Sequence, residues 1–199
     1  GLDADLPILF QVGEPWWWVM PGDGRICLYD DAARAALGGA PVSIPSVWGE
    51  LDAAQCALLD AAGALLAAST AALCEAVKAA APGAVTHLLA YLPTILDPRA
   101  PEAKRANMPI GWAAPAVDVL QLEDYDWVTE GRPNLTAGGI ALATARLGYP
   151  VEEQQYLAGF VLLPEQSGQW RAIMAAARAS VARGTAATFI WALPQVCRD

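Results

Sequence analysis

Histidine and basic side chains are scarce in this sequence. The chain has one histidine, His87, and 12 lysines and arginines against 21 acidic residues, which gives a formal net charge of −9. Proteins that bind nucleic acid need basic surface to neutralise phosphates, and no Lys/Arg run supplies it locally, so we expect no nucleic-acid partner. A single histidine cannot form a histidine-based metal cluster. Because His87 stands inside an apolar stretch, we predict a hydrogen-bonded core side chain rather than a catalytic base.

Motifs that would indicate a particular chemistry are also missing. The four cysteines (27, 56, 74 and 197) form no CxxC pair and predict neither a zinc site nor a disulfide framework. No GxGxxG or GxxxxGK[ST] follows a predicted strand, and no GxSxG is present. Residues 1–5 carry no basic segment of the kind that begins a signal peptide, and no apolar run reaches the roughly 20 residues of a membrane span. We therefore expect no cofactor, no metal and no membrane insertion.

Apolar residues, in contrast, are abundant and fall into regular patterns. They make up 55% of the chain against 17% charged residues, which favours one globular domain over residues 1–199. Short apolar runs predict strands over 8–14, 84–92, 117–122, 156–163 and 187–193. Helical patterns between them predict helices over 31–37, 52–81, 136–147 and 167–183, with a capping box of Asp52 and Gln55 at the start of the second and Gly148 at the end of the third. The segment 94–115 is rich in proline and is predicted to be a surface loop with at most one helical turn.

The order of these elements predicts an α/β fold with a parallel sheet. Strands that are apolar on both faces and alternate with helices are typical of sheets covered by helices. Both a (β/α)8 barrel and a doubly wound open sheet fit this alternation.

The first predicted strand ends at one acid, Glu14, which stands close to three consecutive tryptophans, residues 16–18. Gly13 permits an unusual backbone turn, and Pro15 ends ladder pairing because it has no N–H. Glu14 is therefore expected at the carboxyl end of a strand, where α/β folds place chemistry. The alternative is an ordinary strand-end carboxylate beside a tryptophan patch that packs internally or meets a partner.

A second glutamate, Glu165, follows the fourth predicted strand. Parallel strands would bring both acids to the edge of the sheet where the strands have their carboxyl ends, which we call the rim. Glycoside cleavage needs such a pair: one carboxyl group protonates the leaving oxygen, and the other attacks the sugar or activates water. Aromatic rings at the rim suit the apolar faces of sugars. The predicted substrate-binding residues at these strand ends are Trp16, Trp17, Tyr91, Glu123, Tyr125, Trp127 and Trp191.

Two sets of residues carry a resemblance to known families. Gly13-Glu14-Pro15 resembles the Asn-Glu-Pro of clan A glycoside hydrolases. The sequences GEPWWW, RICLYD and VDVLQLEDYDWV are similar to the glycoside-hydrolase-like TIM-barrel region of tail proteins from bacteriophages, prophages and gene transfer agents.

The resemblance implies that the five strands are barrel strands four to eight, in a fragment of a larger tail polypeptide located in a virion or phage-like tail particle. It also implies a retaining O-glycosidase site with Glu14 as acid/base, Glu165 as nucleophile and Trp191 as sugar platform. Gly13 departs from the family pattern, because the Asn at this position contacts the sugar 2-hydroxyl. The implied partners are a cell-surface glycan and other segments or subunits of the tail. The alternative is a structural assembly module without turnover, anchored by its tryptophans.

Overall fold

The computed structural model describes residues 6–199, so the prediction about targeting from residues 1–5 lies outside the described residues. Five strands form one sheet: β1 Leu9–Val12, β2 Val85–Tyr91, β3 Val119–Glu123, β4 Gln154–Leu157 and β5 Ala187–Phe189. Their spatial order is β1-β2-β3-β4-β5, and every neighbouring pair is parallel. The predicted α/β class is confirmed. The sequential order is that of a TIM-like barrel, since a doubly wound sheet reverses its strand order.

Helices connect successive strands and cover one face of the sheet. They are α1 Asp31–Ala36, α2 Ala53–Ala80, α3 Leu92–Ile95, α4 Lys104–Asn107, α5 Tyr125–Thr129, α6 Pro133–Leu147, α7 Trp170–Arg183 and α8 Leu193–Arg198. Short 3-10 helices lie at Ile110–Trp112, Val151–Glu153 and Pro164–Gln169. The main core lies between the sheet and these helices and includes Leu88, Leu120 and Tyr156.

The longest helix, α2, begins at the predicted capping box. The Asp52 carboxylate accepts from the backbone N–H of Gln55, and the Gln55 side chain accepts from that of Asp52. By length and composition alone this 28-residue helix could cross a membrane, although polar residues interrupt its apolar sequence. One face of α2, with Leu58, Leu59 and Ala62, is buried in the domain.

Segment 94–115 is not the surface loop that its prolines predict. Ala103, Ala106 and Met108 are fully buried, and the segment contains α4, which packs on α2. Gly63 permits this packing, because a Cβ there would lie 2.2 Å from the carbonyl oxygen of Arg105. The sequence does not reveal this contact, since it joins positions far apart in the chain.

The face of the sheet opposite the helices is more polar than predicted. Gln11 donates through its side-chain amide to the Gln121 side chain, and Gln121 donates to the Gln155 side chain at 2.8 Å. His87 shares this face and is buried, with Nδ1 3.2 Å from the carbonyl oxygen of Val85. The expectation that both faces are apolar is therefore wrong, whereas the core position of His87 is confirmed.

Strands β4 and β5 are shorter than their apolar runs predict. The chain leaves β4 after Leu157, and Gly159 takes a φ of +124°, which strongly favours glycine. Residues 158–163 therefore form a connection at the rim rather than strand. Strand β5 ends at Phe189, and the rest of its predicted run leads into α8.

Candidate functional site at the carboxyl rim

Glu14 lies just past β1 in an unusual backbone conformation. Its φ is +51°, the left-handed region that a residue with a Cβ rarely adopts, whereas Gly13 has no positive φ. The unusual turn predicted from the sequence is therefore present, one residue later than expected. A left-handed conformation costs a residue other than glycine about 1 kcal/mol or more. The Glu14 side chain is exposed at the rim.

Four aromatic rings cross the rim from the end of β1 to the segment after β4. The ring centroids of Trp16 and Tyr91 are 6.2 Å apart, those of Tyr91 and Tyr125 are 4.9 Å apart, and those of Tyr125 and Phe160 are 5.1 Å apart. We call Trp16, Tyr91, Tyr125 and Phe160 the aromatic row. Such spacings are those of interacting aromatic pairs. The row joins three residues predicted from the sequence with Phe160, which was assigned to the interior of an overlong strand.

Glu123 ends β3 beside the aromatic row, in register with Tyr91 on β2. Burial is the main cause that raises its pKa, to about 7, and the carboxylates of Glu14, Asp124 and Asp126 raise it further. A carboxyl group with this pKa is partly protonated at neutral pH and can donate or accept a proton. The charge of Glu14 therefore acts on Glu123, an interaction that was not predicted from the sequence.

Asp124 lies directly beneath this rim and is fully buried. Tyr156 on β4 donates to its Oδ1 at 2.5 Å. Burial raises the pKa of Asp124, while its contacts with Thr136 and Tyr156 act in the opposite direction. Asp124 therefore links the end of β3 to β4 and to α6, and it holds the neighbouring Glu123 and Tyr125 in place.

The hydroxyl group of Tyr91 and the indole N–H of Trp16 are buried at the base of the row. Neither atom has a hydrogen-bond partner of good geometry among the described residues. Burial and the nearby carboxylate of Asp126 raise the pKa of Tyr91, so this hydroxyl stays protonated. Glu14 and Trp16 also border a cavity of about 530 Å³ beside α1 and α2.

Two of the tryptophans predicted to bind substrate have structural positions. The indole N–H of Trp17 donates to the carbonyl of Ala62 at 3.0 Å, and its backbone N–H donates to Asn107 at 2.7 Å. Trp127 is 5% exposed and packs against Gly139 on α6. Trp127 is therefore buried inside the domain, whereas the half-buried Trp17 also borders the cavity that Glu14 and Trp16 line.

Glu165 and Trp191 lie on the segments that follow β4 and β5, and the backbone N–H of Trp191 donates to the carbonyl of Gly159, the residue before Phe160, at 3.0 Å. Glu165 is exposed in the 3-10 helix after β4, and its charge acts on Arg198. It is not among the carboxylates that raise the pKa of Glu123. Trp191 follows β5 and is 53% exposed. The pairing of Glu14 with Glu165 stays a prediction, and Glu165 itself lies beyond the turn at Gly159 rather than directly at the end of its strand.

The acids of the rim do not form a cation site. Within residues 6–199, no group of three or more His, Cys, Asp or Glu side chains has the arrangement of a metal centre. The rim can offer apolar ring faces, a partly protonated carboxyl group and a neighbouring carboxylate.

Comparison with known proteins identifies a family over the whole chain. The family model of the non-contractile tail sheath protein TIM barrel matches residues 1–199. Searches of curated proteins and of solved structures gave no significant match. The match agrees with the sequential parallel sheet and with the predicted tail origin, but it does not extend to the clan A glycosidases. This chain belongs to the non-contractile tail sheath protein TIM-barrel family.

Proposed function

We propose that this domain is a non-catalytic assembly module of a tail sheath, and that it contacts neighbouring subunits through the apolar surface beside β5. The observation that carries this proposal is a group of exposed large apolar side chains, which we call the β5 margin. It consists of Leu162, Leu163, Phe189, Trp191, Leu193 and Val196, with exposed fractions from 43% to 73%.

Hydrogen bonds join the segments of the β5 margin into one surface. The backbone N–H of Trp191 donates to the carbonyl of Gly159 at 3.0 Å, and Arg198 donates to the carbonyl of Leu162 at 3.2 Å. Soluble domains rarely expose contiguous apolar surface unless it meets a partner, and aromatic residues commonly anchor interfaces. Trp191 is therefore the expected anchor.

The position of the β5 margin also supports an assembly role. Strand β5 is an edge of the sheet within residues 6–199, and strand edges offer unpaired backbone groups to neighbouring chains. A sheath is built from many subunits, so each copy requires a surface of this kind.

The test is assembly of the full tail sheath protein carrying Trp191→Ser. We expect association between subunits, followed by sedimentation velocity, to weaken at least about tenfold, as is usual for loss of a buried aromatic anchor. Leu73→Ser on α2 is the matched control, because Leu73 is 44% exposed but lies outside the margin. Unchanged association of the Trp191→Ser protein would contradict the proposal.

A second candidate function, glycan binding at the aromatic row, is favoured by the spacing of its rings beside Glu14 and Glu123. Ring faces stack on the apolar faces of sugars, and two carboxyl groups hydrogen-bond hydroxyl groups. Turnover at this place would use Glu123, with its pKa of about 7, as general acid and Glu14 as its anionic partner.

A glycan array and a hydrolysis screen of the full protein test this second function. Glycan binding should be lost in Tyr91→Ala and kept in Trp191→Ser, whereas subunit association should show the opposite pattern. Hydrolysis, where detected, should be lost in both Glu14→Gln and Glu123→Gln. Binding that survives Tyr91→Ala would exclude the aromatic row as the glycan site.

A further inference from the structure

Helices α6 and α7 flank β4 but are separated by an open slot. Both helices pack on α5, and the space between them has a volume of about 1130 Å³. Its floor is formed by Tyr156 and Gln154 of β4. A slot of this size in the helical layer leaves apolar surface uncovered on both of its walls.

The walls of the slot are built from alanines at helical spacing. Ala137, Ala141 and Ala145 line it from α6, and Ala172, Ala176 and Ala179 line it from α7. Residues four apart share one face of a helix, so each helix presents a smooth stripe without long side chains. From Ala172 to Arg183 the wall is about 16 Å long at the helical rise per residue. These dimensions suit a short helix with large apolar side chains.

The slot also contains a polar atom that lacks a partner. Arg183 is its single charged lining residue among those described, and its Nη1 donates to Gln154 at 2.6 Å. Its Nη2 is buried without a hydrogen-bond partner. An unpaired buried donor is costly, so this guanidinium favours a partner that brings a hydrogen-bond acceptor into the slot.

The chain itself carries an exposed helix that matches the slot. Helix α8 covers Leu193–Arg198. Its Leu193 is 73% exposed and its Val196 is 48% exposed, three residues apart on one face. An exposed apolar face of this kind is stabilised by a partner that covers it.

We propose that α8 of one copy docks into the α6–α7 slot of a second copy. This inference rests on the proposed assembly function and names the receiving surface for part of the β5 margin. The two surfaces differ, so the contact is heterologous: every copy offers one helix and one slot, and association propagates into a ring or a helical array. Leu193 and Val196 fill the space between the alanine stripes, and the docked segment brings a hydrogen-bond acceptor to Arg183.

The native Cys197 on α8 allows a direct test, because it is free and exposed. In the full sheath protein with Cys27→Ser, Ala141→Cys should form disulfide-linked multimers under mild oxidation, seen as a ladder on a non-reducing gel. The ladder should disappear when Cys197→Ser is added. Ala72→Cys, an exposed position on α2, is the matched control and should not form it. Absence of the ladder, a largest species of two copies, or a crosslink within one copy would overturn the proposal.

Filling the slot separates this proposal from the assembly function. Ala141→Trp changes an exposed position, so the protein should fold with an unchanged Tm, while subunit association should weaken at least about tenfold. If Trp191→Ser weakens association and Ala141→Trp does not, the slot is not the receiving surface although the assembly function stands. If neither does, the assembly function itself fails.

Discussion

Glu123 is a residue whose ionisation near neutral pH is tied to the fold. Its pKa is about 7 in the folded protein and near 4.5 in an unconstrained chain. Between these pH values the folded state holds a proton that the unfolded state has lost, so stability falls as pH rises through this window.

We therefore expect that Glu123→Gln does not show this fall in stability between pH 4.5 and pH 7. In urea unfolding at several pH values, the free energy of unfolding of the variant relative to that of the natural protein should rise by about 1–2 kcal/mol between pH 4.5 and pH 7. This figure allows for solvent screening of a partly exposed group. Glu152→Gln, at an exposed position away from the rim, is the control. An identical pH slope for the Glu123→Gln and natural proteins would contradict the assignment.

The backbone of Glu14 gives a second prediction at the residue scale. Because its φ is +51°, glycine should fit this position with less strain. Comparing Glu14→Gly with Glu14→Gln removes the charge from both variants and leaves the backbone difference. We expect the glycine variant to be more stable by about 1 kcal/mol in urea unfolding. Equal stability would mean that the turn stores no strain.

The positions of single residues at the rim could be predicted wherever the end of the strand that carries them could be predicted. Glu14, Trp16, Tyr91, Glu123 and Tyr125 were expected at strand ends and lie there, since apolar runs end at the first proline or acid. The direction in which each aromatic side chain points could not be predicted from the sequence, even for residues next to each other in the chain. Trp16 joins the aromatic row, while the next residue, Trp17, turns toward Ala62 and Asn107, and only the packing of α2 and α4 decides between them.

At the scale of elements, two neighbouring glycines in α6 have opposite environments. A Cβ at Gly138 would meet nothing within 4 Å, whereas a Cβ at Gly139 would lie 2.7 Å from the ring of Trp127. The helix therefore uses Gly139 to approach α5 closely, and Gly138 has no such role.

Alanine should distinguish these two positions. Gly138→Ala should stabilise the domain by about 0.5–1 kcal/mol, because alanine has the higher helix propensity. Gly139→Ala should destabilise it by about 1–3 kcal/mol through overpacking against Trp127. Thermal unfolding of the two variants provides the measurement, and each serves as the control for the other. A stabilising effect at both positions would show that Trp127 moves aside freely.

Helix ends with local chemistry were predicted better than strand ends. The capping box at Asp52 and the left-handed Gly148 after α6 are both present as expected. Helix α6 begins at Pro133 rather than at the predicted Thr136, since proline suits the first turn of a helix. Strand β4 was predicted too long because its apolar run continues past the turn at Gly159, and hydrophobicity alone does not mark that turn.

Residues 1–199 carry a large negative charge, which opposes close approach between copies of this domain. With a formal charge of −9, copies repel one another at long range, while the β5 margin is apolar. Salt screens this repulsion but has little effect on apolar contacts.

Raising NaCl from about 50 mM to about 500 mM should therefore strengthen association of the full sheath protein, since the Debye length falls from over 10 Å to a few ångströms. Sedimentation velocity at several salt concentrations measures the change. The Trp191→Ser protein serves as the comparison and should remain weakly associated at every salt concentration. Association that weakens with salt would mean that ion pairs, rather than the apolar margin, hold the copies together.

The parallel sheet gives the molecule two chemically different ends. All five strands point their carboxyl ends to the rim that carries the acids and the aromatic row, while the opposite end carries the strand starts and the C-terminal turns of α6 and α7. Any array in which the copies share one orientation therefore has a direction. A tube built this way would present acidic, ring-bearing surface towards one end only, so its two ends would meet different partners.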